Sequence, residues 1–471
     1  MVNNSASGSL DPHPPHRSFV LGIPVIVALS YCFIAFQADL RLAIPALAGA
    51  SALIAAALAV SLYAGGSKNI GWTPRTILLI AAALRLLFLF RRPELSDDIF
   101  RYLWDGLTTV HGGNPYALAP ADAPPAAEGL LAYVNHPHLI TIYPPAAQII
   151  FAEGALLGGL FGIKALLVAA DIAACGIMMR ILARMNLPPS RAVIYAWHPL
   201  PVLEIAASGH IDGAGVFFLM LGFMFLIPAK NGSYRPVNRG WLAPALAGMA
   251  FSAAAFVKLF PLVFFPLFVF LAGKKGRGAF IAGTVFGAAA LIVPFFPGLF
   301  NMFATLGIYA RNWEFAGFAF QALHVLLPEG ATARWLLAGL FMLVAAVVYT
   351  RLFRQHGSGK EVAPSHSAFL ASFQAAYAIA LAFLLLTPTL HPWYALYLAC
   401  LLPFVPGAAG LVMVWAVLLS YRILIGFTIL GVWEEKDNIP ALIWLATFGA
   451  LLLSRLYAPR RTARSTRGIT G

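Results

Sequence analysis

Long apolar runs recur along the chain from Phe19 to Tyr457, and short polar segments separate them. Each run holds about 20 mostly apolar residues, which is the length that an α-helix needs to cross a bilayer, and we count about fourteen of them. No run shows the alternating pattern of a membrane β-barrel. Because lipid offers no hydrogen-bonding partner to an open strand, the pattern predicts an all-α polytopic membrane protein, a bundle of about 12–14 transmembrane helices.

The composition excludes a soluble domain. Hydrophobic residues make up 61% of the chain and charged residues 10%, and the mean hydropathy is +0.82. The cysteines lie in apolar runs at unrelated spacings, so we expect buried thiols and neither a disulfide nor a metal framework. These cysteines are Cys32, Cys175 and Cys400.

The net charge of +13 is distributed in a way that indicates membrane topology rather than nucleic-acid binding. Basic residues occupy alternate polar segments, and acidic residues occupy the segments between them. By the positive-inside rule, this predicts that both termini are cytoplasmic and that the acidic loops are exoplasmic. The basic residues are Lys68, Arg75, Arg180, Arg184, Arg191, Lys230, Arg235, Arg239, Lys274, Lys275, Arg277, Arg351, Arg354 and Lys360, followed by those of the tail.

This topology divides the chain into five parts. Residues 1–18 form a short cytoplasmic tail without a basic start or a cleavage site, so the first apolar run is expected to be retained. Residues 19–92 form N-terminal transmembrane helices, and residues 93–160 form a long exoplasmic loop. Residues 161–457 form the remaining transmembrane bundle, and residues 458–471 form a basic cytoplasmic tail.

The long loop is predicted to contain a helix, a coil and a second helix. Ser96 is a candidate cap for a helix from Asp97 to about Val110, and the coil runs from Gly112 to Pro145. The following apolar run, residues 146–158, is short for a span and is predicted to lie in the membrane interface.

The carboxylates of the first loop helix allow two interpretations. Helical spacing places Asp98, Tyr102 and Asp105 on one face and lets Asp97 pair with Arg101. Helix capping and surface salt bridges would explain the acidic pair without any chemistry. The acidic pair could also supply the acid–base group of a membrane enzyme. Ionisable residues near a bilayer are energetically costly, so their presence there indicates a functional role.

Further polar residues are predicted on the same side of the membrane. His210 and Asp212 suit proton transfer, metal binding or recognition of a hydroxyl, or simply cap a turn. Lys258 suits a lipid phosphate or snorkels to the interface. Arg311 suits phosphate oxygens or pairs with Glu314. His391 is either a binding residue or a packed one.

Several sequence blocks resemble the GT-C superfamily of polyprenyl-phosphate-sugar-dependent glycosyltransferases, especially the bacterial mannosyltransferase-like branch near glycosyltransferase family 87. The resemblance extends from about Ser96 to Phe404, although two spans precede the one that leads into the acidic loop. The blocks are SDDIFRYLWDG, NPYALAP, TIYPPAAQ, WHPLPVLEIAASGHIDG, FVKLFPLVFFP and TPTLHPWYALYLACLLPF.

This resemblance implies an enzyme of the bacterial inner membrane that transfers a hexose from a polyprenyl-phosphate donor to a glycan or glycolipid. The expected hexose is mannose, and the transfer is expected to invert the anomeric centre. A loop carboxylate, Asp97 or Asp98, is implied to be the general base, and basic side chains are implied to hold the phosphate, for which we name Lys258 and Arg311. No cofactor is indicated; a divalent metal is compatible with the residues but not required. The expected substrate-binding residues are Arg101, Trp104, Asp105, Tyr143, His210, Asp212, His391 and Trp393.

Two other functions remain open at the level of the sequence. A transporter or flippase of polyprenyl-linked glycans would place charges near the centres of its spans, where only Asp171 and Glu204 are candidates. An outer-leaflet glycan ligase would depend more on Arg and His residues than on an acidic pair. The sugar and the acceptor are not encoded by these motifs.

Overall fold

The structure, a computed structural model, describes residues 17–65, 72–124, 126–228, 240–327, 329–356, 365–435 and 438–456. Helices account for 76% of it, and these ranges contain no strand, which confirms the all-α class. Several residues of the predicted topology lie outside the described ranges: residues 1–16 of the N-terminal tail, Lys68, Lys230, Arg235, Arg239, Lys360, Asp437 and the basic C-terminal tail.

The α-helices are numbered here in chain order. The first ten are α1 (Arg17–Ala35), α2 (Ile44–Gly65), α3 (Pro74–Leu89), α4 (Asp98–Val110), α5 (Pro145–Leu156), α6 (Leu160–Arg184), α7 (Val193–Ala196), α8 (Pro199–Pro201), α9 (Asp212–Leu226) and α10 (Leu242–Val257). The others are α11 (Phe265–Leu271), α12 (Gly273–Ile292), α13 (Met302–Asn312), α14 (Phe318–Leu326), α15 (Gly330–His356), α16 (His366–Leu386), α17 (Leu396–Ala399), α18 (Ala408–Ala416), α19 (Ile423–Leu430) and α20 (Asn438–Leu456).

Seven helical segments of the described ranges are long and apolar enough to cross a membrane. Shorter apolar helices add to them, among them α9 and α10. The chain is therefore a multi-pass membrane protein, while the number of about 12–14 spans stays a prediction. The seven segments are Ile44–Leu62, Leu160–Arg184, Gly273–Phe295, Gly330–His356, His366–Leu386, Ala408–Leu430 and Asn438–Leu456.

Three helices precede the acidic loop, as the sequence predicts. The third, α3, begins where Thr73 accepts a hydrogen bond from the backbone N–H of Thr76, and Pro74 occupies its first turn. It ends one residue before Phe90 and leads directly into the loop. The Nζ of Lys164 donates to two carbonyls at this helix end, those of Phe88 (2.8 Å) and Arg91 (2.6 Å), so the end of α3 is fixed against α6.

Contacts between loops define one end of the bundle, which we call the site end. The backbone N–H of Leu40 donates to Glu94 (2.8 Å), and that of Phe315 donates to the Pro388 carbonyl (3.1 Å). The N–H of Ala316 donates to Glu435 (3.0 Å) in the last acidic loop, which contains Glu434 and Glu435. The ring of His136 in the first acidic loop lies 4.7 Å from the ring of Trp313, so both loops lie at the same end. The structure thus groups the acidic loops as the charge pattern predicts.

A buried ion pair connects α3 to α6. The Nε of Arg85 donates to Asp171 Oδ2 at 2.6 Å, and both side chains are fully buried. Arg85 also donates to the Ala196 carbonyl (2.7 Å), and the hydroxyl of Tyr195 donates to the other oxygen of Asp171 (2.6 Å). Because each partner neutralises the other, this charged pair within the bundle is a structural contact between three elements.

We predict that Arg85→Met destabilises the protein far more than Arg41→Met does. The first substitution leaves Asp171 buried without its counter-charge, which costs roughly 3–5 kcal/mol. The second removes a partly exposed pair with Asp39, which is worth about 0–1 kcal/mol. Thermal unfolding of the detergent-solubilised variants measures the difference, and equal midpoints for the two variants would contradict the role given to Arg85.

Candidate active site

The helix of the acidic loop begins one residue later than predicted, at Asp98, and ends at Val110 as predicted. The backbone N–H of Asp98 donates to the hydroxyl of Ser96 (3.3 Å). The predicted pair of Asp97 with Arg101 is wrong: Arg101 donates to Asp105 at 2.9 Å, and both side chains are buried. Asp97 precedes the first helical turn and points elsewhere, whereas Asp105 lies one turn after Arg101 on the same face.

Arg101 and Asp105 hold the coil against α4. Arg101 donates to the Leu139 carbonyl (3.0 Å), and Gln148 donates to the second oxygen of Asp105 (3.1 Å). Gln148 also donates to the hydroxyl of Thr141 (3.0 Å). The two charged residues therefore form part of a buried network that fixes the shape of the loop.

A close backbone approach positions α4 on α5. A Cβ atom at Gly106 would overlap the carbonyl of Phe151, so only glycine permits this packing. Trp104 lies on the same helix and is 2% exposed, which makes it a packing residue with no face open to a ligand. The contact fixes the distance between the start of α4 and the rest of the bundle.

One amide joins the two carboxylates at the start of α4. The Nδ2 of Asn135 donates to Asp97 Oδ1 (3.0 Å) and to Asp98 Oδ1 (2.9 Å). The hydroxyl of Tyr143 donates to the other oxygen of Asp98 (3.1 Å). Asp97 is exposed, whereas only 18% of the Asp98 side chain is accessible, so Asp98 is the carboxylate that faces the interior.

The carboxylates influence each other electrostatically. The surrounding protein partly desolvates the carboxyl group of Asp97, although the residue as a whole is exposed. This desolvation and the neighbouring charge of Asp98 raise the pKa of Asp97 to about 6. Asp97 therefore takes up a proton near pH 6.

His210 approaches the pair from a second element. Its Nδ1 lies 4.0 Å from Asp98 Oδ2, and the ring is fully buried. The preceding Gly209 has φ +79°, a conformation that glycine favours, and it leaves room for the side chain of Ile99. Burial and the charge of Lys258 lower the pKa of His210, so the imidazole is neutral.

Lys258 follows the last residue of α10, and its charge acts on His210. Its Nζ donates to Asp212 Oδ2 at 2.9 Å and lies 5.1 Å from the ring centre of Tyr394. The Asp212 side chain is fully buried and that of Lys258 is 22% exposed, so part of the lysine side chain remains accessible. The ion pair joins the start of α9 to the end of α10.

Aromatic rings form a stack beside His210. The imidazole of His210 lies on Trp393 with the ring centres 3.8 Å apart, and His391 lies on Trp393 at 4.4 Å. Phe315 stacks on His391 at 4.8 Å. Because Trp393 is 8% exposed and contacts both imidazoles, it holds their planes and has little area left for a sugar ring.

No ion pair or hydrogen bond within the described ranges joins Arg311 to the carboxylate pair. Arg311 is exposed near the end of α13 and forms no ion pair within the described ranges. The alternative in which it pairs with Glu314 is wrong, because Arg334 donates to Glu314 at 2.6 Å instead. The structure thus brings together Asp98, Tyr143, His210, Asp212, Lys258, His391 and Trp393, and leaves Arg311 available.

Sequence reasoning missed Asn135 and Glu204 as neighbours of the site. Asn135 lies in a coil that has no periodic pattern of apolar residues. Its place in the acidic loop is the single sequence feature that could have indicated it. Glu204 was considered as a charge within a span, and its contact with His210 follows from the local helix geometry. Within the described ranges, no group of three or more His, Cys, Asp or Glu side chains is arranged to hold a metal.

The fold and the site together define a class of protein. It is a multi-pass helical membrane protein with a carboxylate pair, buried imidazoles and a lysine grouped at one end of the bundle. Residues 141–388, just over half of the chain, match the model of glycosyltransferase family 87. The chain therefore belongs to that GT-C-type family and is a membrane glycosyltransferase, which confirms the resemblance. No curated protein and no solved structure matches it.

The matched range contains part of the site. Tyr143, His210, Asp212 and Lys258 lie inside it, as does Arg311. The carboxylates of α4 and the His391 region lie outside it. The geometry, rather than the family match, therefore connects the acidic loop to the residues of the matched range.

We predict that Gly106→Ala lowers the rate of sugar transfer at least about tenfold, because a displacement of about 1 Å at a catalytic group has effects of this size or larger. The added methyl group forces α4 away from α5 and moves the carboxylates at its start. Gly176→Ala in α6 is the control, since a Cβ atom there meets nothing within 4 Å. Equal transfer rates for the two variants would show that this packing does not position the carboxylates.

Proposed function

We propose that this membrane glycosyltransferase transfers a hexose, with mannose as the first candidate, from a polyprenyl-phosphate donor to an exoplasmic glycan or glycolipid. The observation that carries the proposal is the convergence of a carboxylate pair and a lysine in one group at the site end. The separation of acidic loops from the basic segments supports an exoplasmic position for this end, in a bacterial inner membrane with both termini in the cytoplasm.

Asp98 is proposed as the general base. An acceptor hydroxyl attacks the anomeric carbon, its proton passes to Asp98 Oδ2, and the bond between that carbon and the phosphate oxygen breaks. Polyprenyl phosphate leaves with the bonding electrons, and displacement in one step inverts the anomeric centre. The hydrogen bonds from Asn135 and Tyr143 orient the carboxylate, and Asp97 contributes a neighbouring charge.

Lys258 is proposed to hold the donor phosphate, with Arg311 as a second cation. The ammonium group is fixed by Asp212 at 2.9 Å and by the face of Tyr394, and an accessible part remains for a phosphate oxygen. A positive charge fixed at this position stabilises the negative charge that develops on the leaving phosphate. His210, Asp212 and His391 surround the same space and would orient sugar or acceptor hydroxyls.

The fold offers less support for transport by the same chain. A flippase would use charged groups in the centres of its spans, and Asp171 is the clearest such group here. Its partner Arg85 is fully buried with it at 2.6 Å, so the pair is satisfied within the protein. A glycan ligase would need a cluster of Arg residues beside His210, and the structure shows none there within the described ranges; the cation that acts on His210 is Lys258.

The function is tested with purified protein in liposomes, radiolabelled polyprenyl-phosphate sugars and a membrane-lipid extract as acceptor. We expect transfer from one donor of the panel, and an inverted anomeric configuration in the product. Transfer from none of the donors, with flipping of a polyprenyl-linked glycan instead, would overturn the proposal.

We predict that Asp98→Asn lowers the transfer rate by roughly 10²–10⁴-fold, because the acceptor proton loses its base. Asp97→Asn should keep most of the rate at pH 7.5 and above. Loss of transfer in Asp97→Asn with retention in Asp98→Asn would assign the base to Asp97 instead.

The pH dependence follows from the pKa of Asp97, which is raised to about 6. When Asp97 takes up a proton, the negative charge beside Asp98 is lost and Asp98 attracts the acceptor proton less strongly, so transfer by the wild type should fall as the pH decreases through about 6. In Asp97→Asn residue 97 cannot take up a proton, so this fall near pH 6 should be absent. A profile that is identical in wild type and Asp97→Asn would contradict this coupling.

We predict that Lys258→Ala lowers kcat/KM for the donor at least about tenfold, with a higher KM and a lower kcat. The reason is that the ammonium group contacts the phosphate both in the bound donor and as the phosphate leaves. Arg311→Ala should act mainly on the KM. Lys274→Ala is the control, because Lys274 is an exposed lysine at the start of α12. Equal donor KM and kcat values in all three variants would show that neither Lys258 nor Arg311 binds the donor phosphate.

A further inference from the structure

Trp313 is a partly exposed tryptophan at the site end, and the mechanism above gives it no role. It directly follows α13, in the segment that leads to α14. The tryptophans that the sequence predicted to bind substrate, Trp104 and Trp393, are buried packing residues. The predicted residues therefore include no tryptophan that is open to a sugar ring, and Trp313 is a candidate for that role.

Three hydrogen bonds fix the backbone of Trp313. Its N–H donates to the carbonyl of Tyr309 (3.0 Å). Its carbonyl accepts from Nη1 of Arg334 and from the hydroxyl of Thr389, each at 2.9 Å. Arg334 in turn pairs with Glu314 at 2.6 Å. The position of the indole is therefore set by α13, α15 and the segment after α16, before any substrate binds.

Two tyrosines connect Trp313 to the proposed phosphate site. The indole stacks on Tyr309 with the ring centres 5.1 Å apart and a 29° angle between the planes. The hydroxyls of Tyr309 and Tyr394 lie 2.6 Å apart, and the Nζ of Lys258 lies 5.1 Å from the ring centre of Tyr394. An unbroken series of side-chain contacts thus leads from Trp313 to Lys258.

His136 connects Trp313 to the carboxylate pair. The centres of the two rings lie 4.7 Å apart, and their planes meet at 70°. The residue before His136 is Asn135, whose amide donates to both Asp97 and Asp98. Trp313 is therefore linked to the proposed base as well as to the proposed phosphate-binding lysine.

The backbone of His136 adopts an unusual conformation. Its φ is +44°, in the left-handed region that few non-glycine residues occupy. Its carbonyl accepts from the N–H of Leu139 (2.9 Å), and the carbonyl of Leu139 accepts from Arg101 (3.0 Å). Such conformations cost energy, persist where the surroundings impose them and are concentrated at functional sites. The loop therefore holds the His136 ring beside Trp313 at an energetic cost.

Both rings retain polar groups that can bind a ligand. Within the described ranges, the indole N–H of Trp313 and the ring nitrogens of His136 form no hydrogen bond. His136 is exposed and Trp313 is partly exposed. A pyranose ring has C–H groups on its face and hydroxyl groups around its edge. An aromatic surface bordered by an N–H donor and an imidazole matches both features.

We propose that Trp313 and His136, which we call the rim pair, form a subsite for a sugar ring of the acceptor. This inference rests on the proposed function. The sugar ring packs against the part of the indole that Tyr309 and His136 leave uncovered, and its hydroxyls bond to the imidazole and to the indole N–H. The attacking hydroxyl then faces Asp98.

The position of the rim pair favours the acceptor sugar over the donor sugar. The base must lie beside the attacking hydroxyl, and His136 directly follows the Asn135 that holds Asp98. The donor sugar is bonded to the phosphate proposed at Lys258, and two tyrosine rings separate that lysine from Trp313. Because His136 is exposed, the remainder of a glycan or glycolipid acceptor can extend away from the site.

Trp313→Ala tests the subsite in the transfer assay, with the membrane-lipid extract as the acceptor. We expect the apparent KM for the extract to rise at least about tenfold, because truncation of a tryptophan at the centre of a binding site has effects of this size. The KM for the donor should stay within about twofold, since the donor phosphate and its cations are unchanged. An unchanged KM for the extract, or a rise in the donor KM alone, would overturn the inference.

Two further variants and a control separate binding from folding. Trp313→Phe keeps an aromatic ring and should restore most of the affinity for the extract. His136→Gly removes the imidazole while the backbone can keep its positive φ, and it should raise the KM for the extract about 2–10-fold, as expected for a lost hydrogen bond. Trp241→Ala should leave both KM values unchanged, because Trp241 is an exposed tryptophan at the opposite end of α10 from Lys258.

Saturation-transfer difference NMR gives a test that does not depend on activity. The protein in nanodiscs is saturated, and the signals of methyl α-mannoside and methyl β-glucoside are recorded. We expect a signal from the ring protons of at least one glycoside with the wild type and with Trp241→Ala, and its loss with Trp313→Ala. Mannitol, which has hydroxyl groups but no ring, should give no signal.

The outcomes keep the two proposals distinct. A wild type that gives no signal with either glycoside would overturn the subsite, whatever its transfer activity. The same would follow from a signal that persists unchanged in Trp313→Ala. A wild type that binds a glycoside through Trp313 but transfers no sugar from any donor would overturn the proposed function instead.

Discussion

Arg85 joins its own helix, α3, to two other parts of the chain that carry the site, and the relative position of these three parts depends on it. Its guanidinium group binds Asp171 of α6 and the carbonyl of Ala196, while α3 itself leads into the carboxylates of α4. In an apolar bundle each of these polar groups would be costly without its partner. The ion pair therefore links the acidic loop, the helix after α5 and the segment that reaches His210.

The site is assembled from groups that are individually ordinary. A helix start supplies the carboxylates, an irregular coil supplies Asn135 and Tyr143, and a π-helical turn followed by Gly209 supplies His210. Only the packed bundle brings them together, and it also removes water from around them. Fixed dipoles and charges in such surroundings act more strongly than they would in bulk water. The arrangement suits a reaction in which a proton is removed as a phosphate leaves.

The sequence predicted the parts that depend on periodicity and composition. The apolar runs predicted the helical class. The capping signal at Ser96 predicted a helix from Asp97 to about Val110, which is one residue longer than α4. The partner of Arg101 was predicted wrongly, because i,i+4 spacing allowed a partner in either direction and burial chose Asp105. Asn135 was not predicted, since contacts across a coil of such length follow from tertiary packing. The sequence likewise could not show that Trp104 and Trp393 are packing residues. An aromatic residue beside a polar motif is equally compatible with a protein core and with a sugar-binding site.

A structure of the protein with a non-transferable phosphonate analogue of the donor tests the central claim most directly. Our account predicts the phosphonate within hydrogen-bond distance of Lys258, and the anomeric carbon facing the space beside Asp98, with room for an acceptor hydroxyl between them. An analogue bound at the opposite end of the bundle, or with its anomeric carbon turned away from both carboxylates of α4, would contradict it.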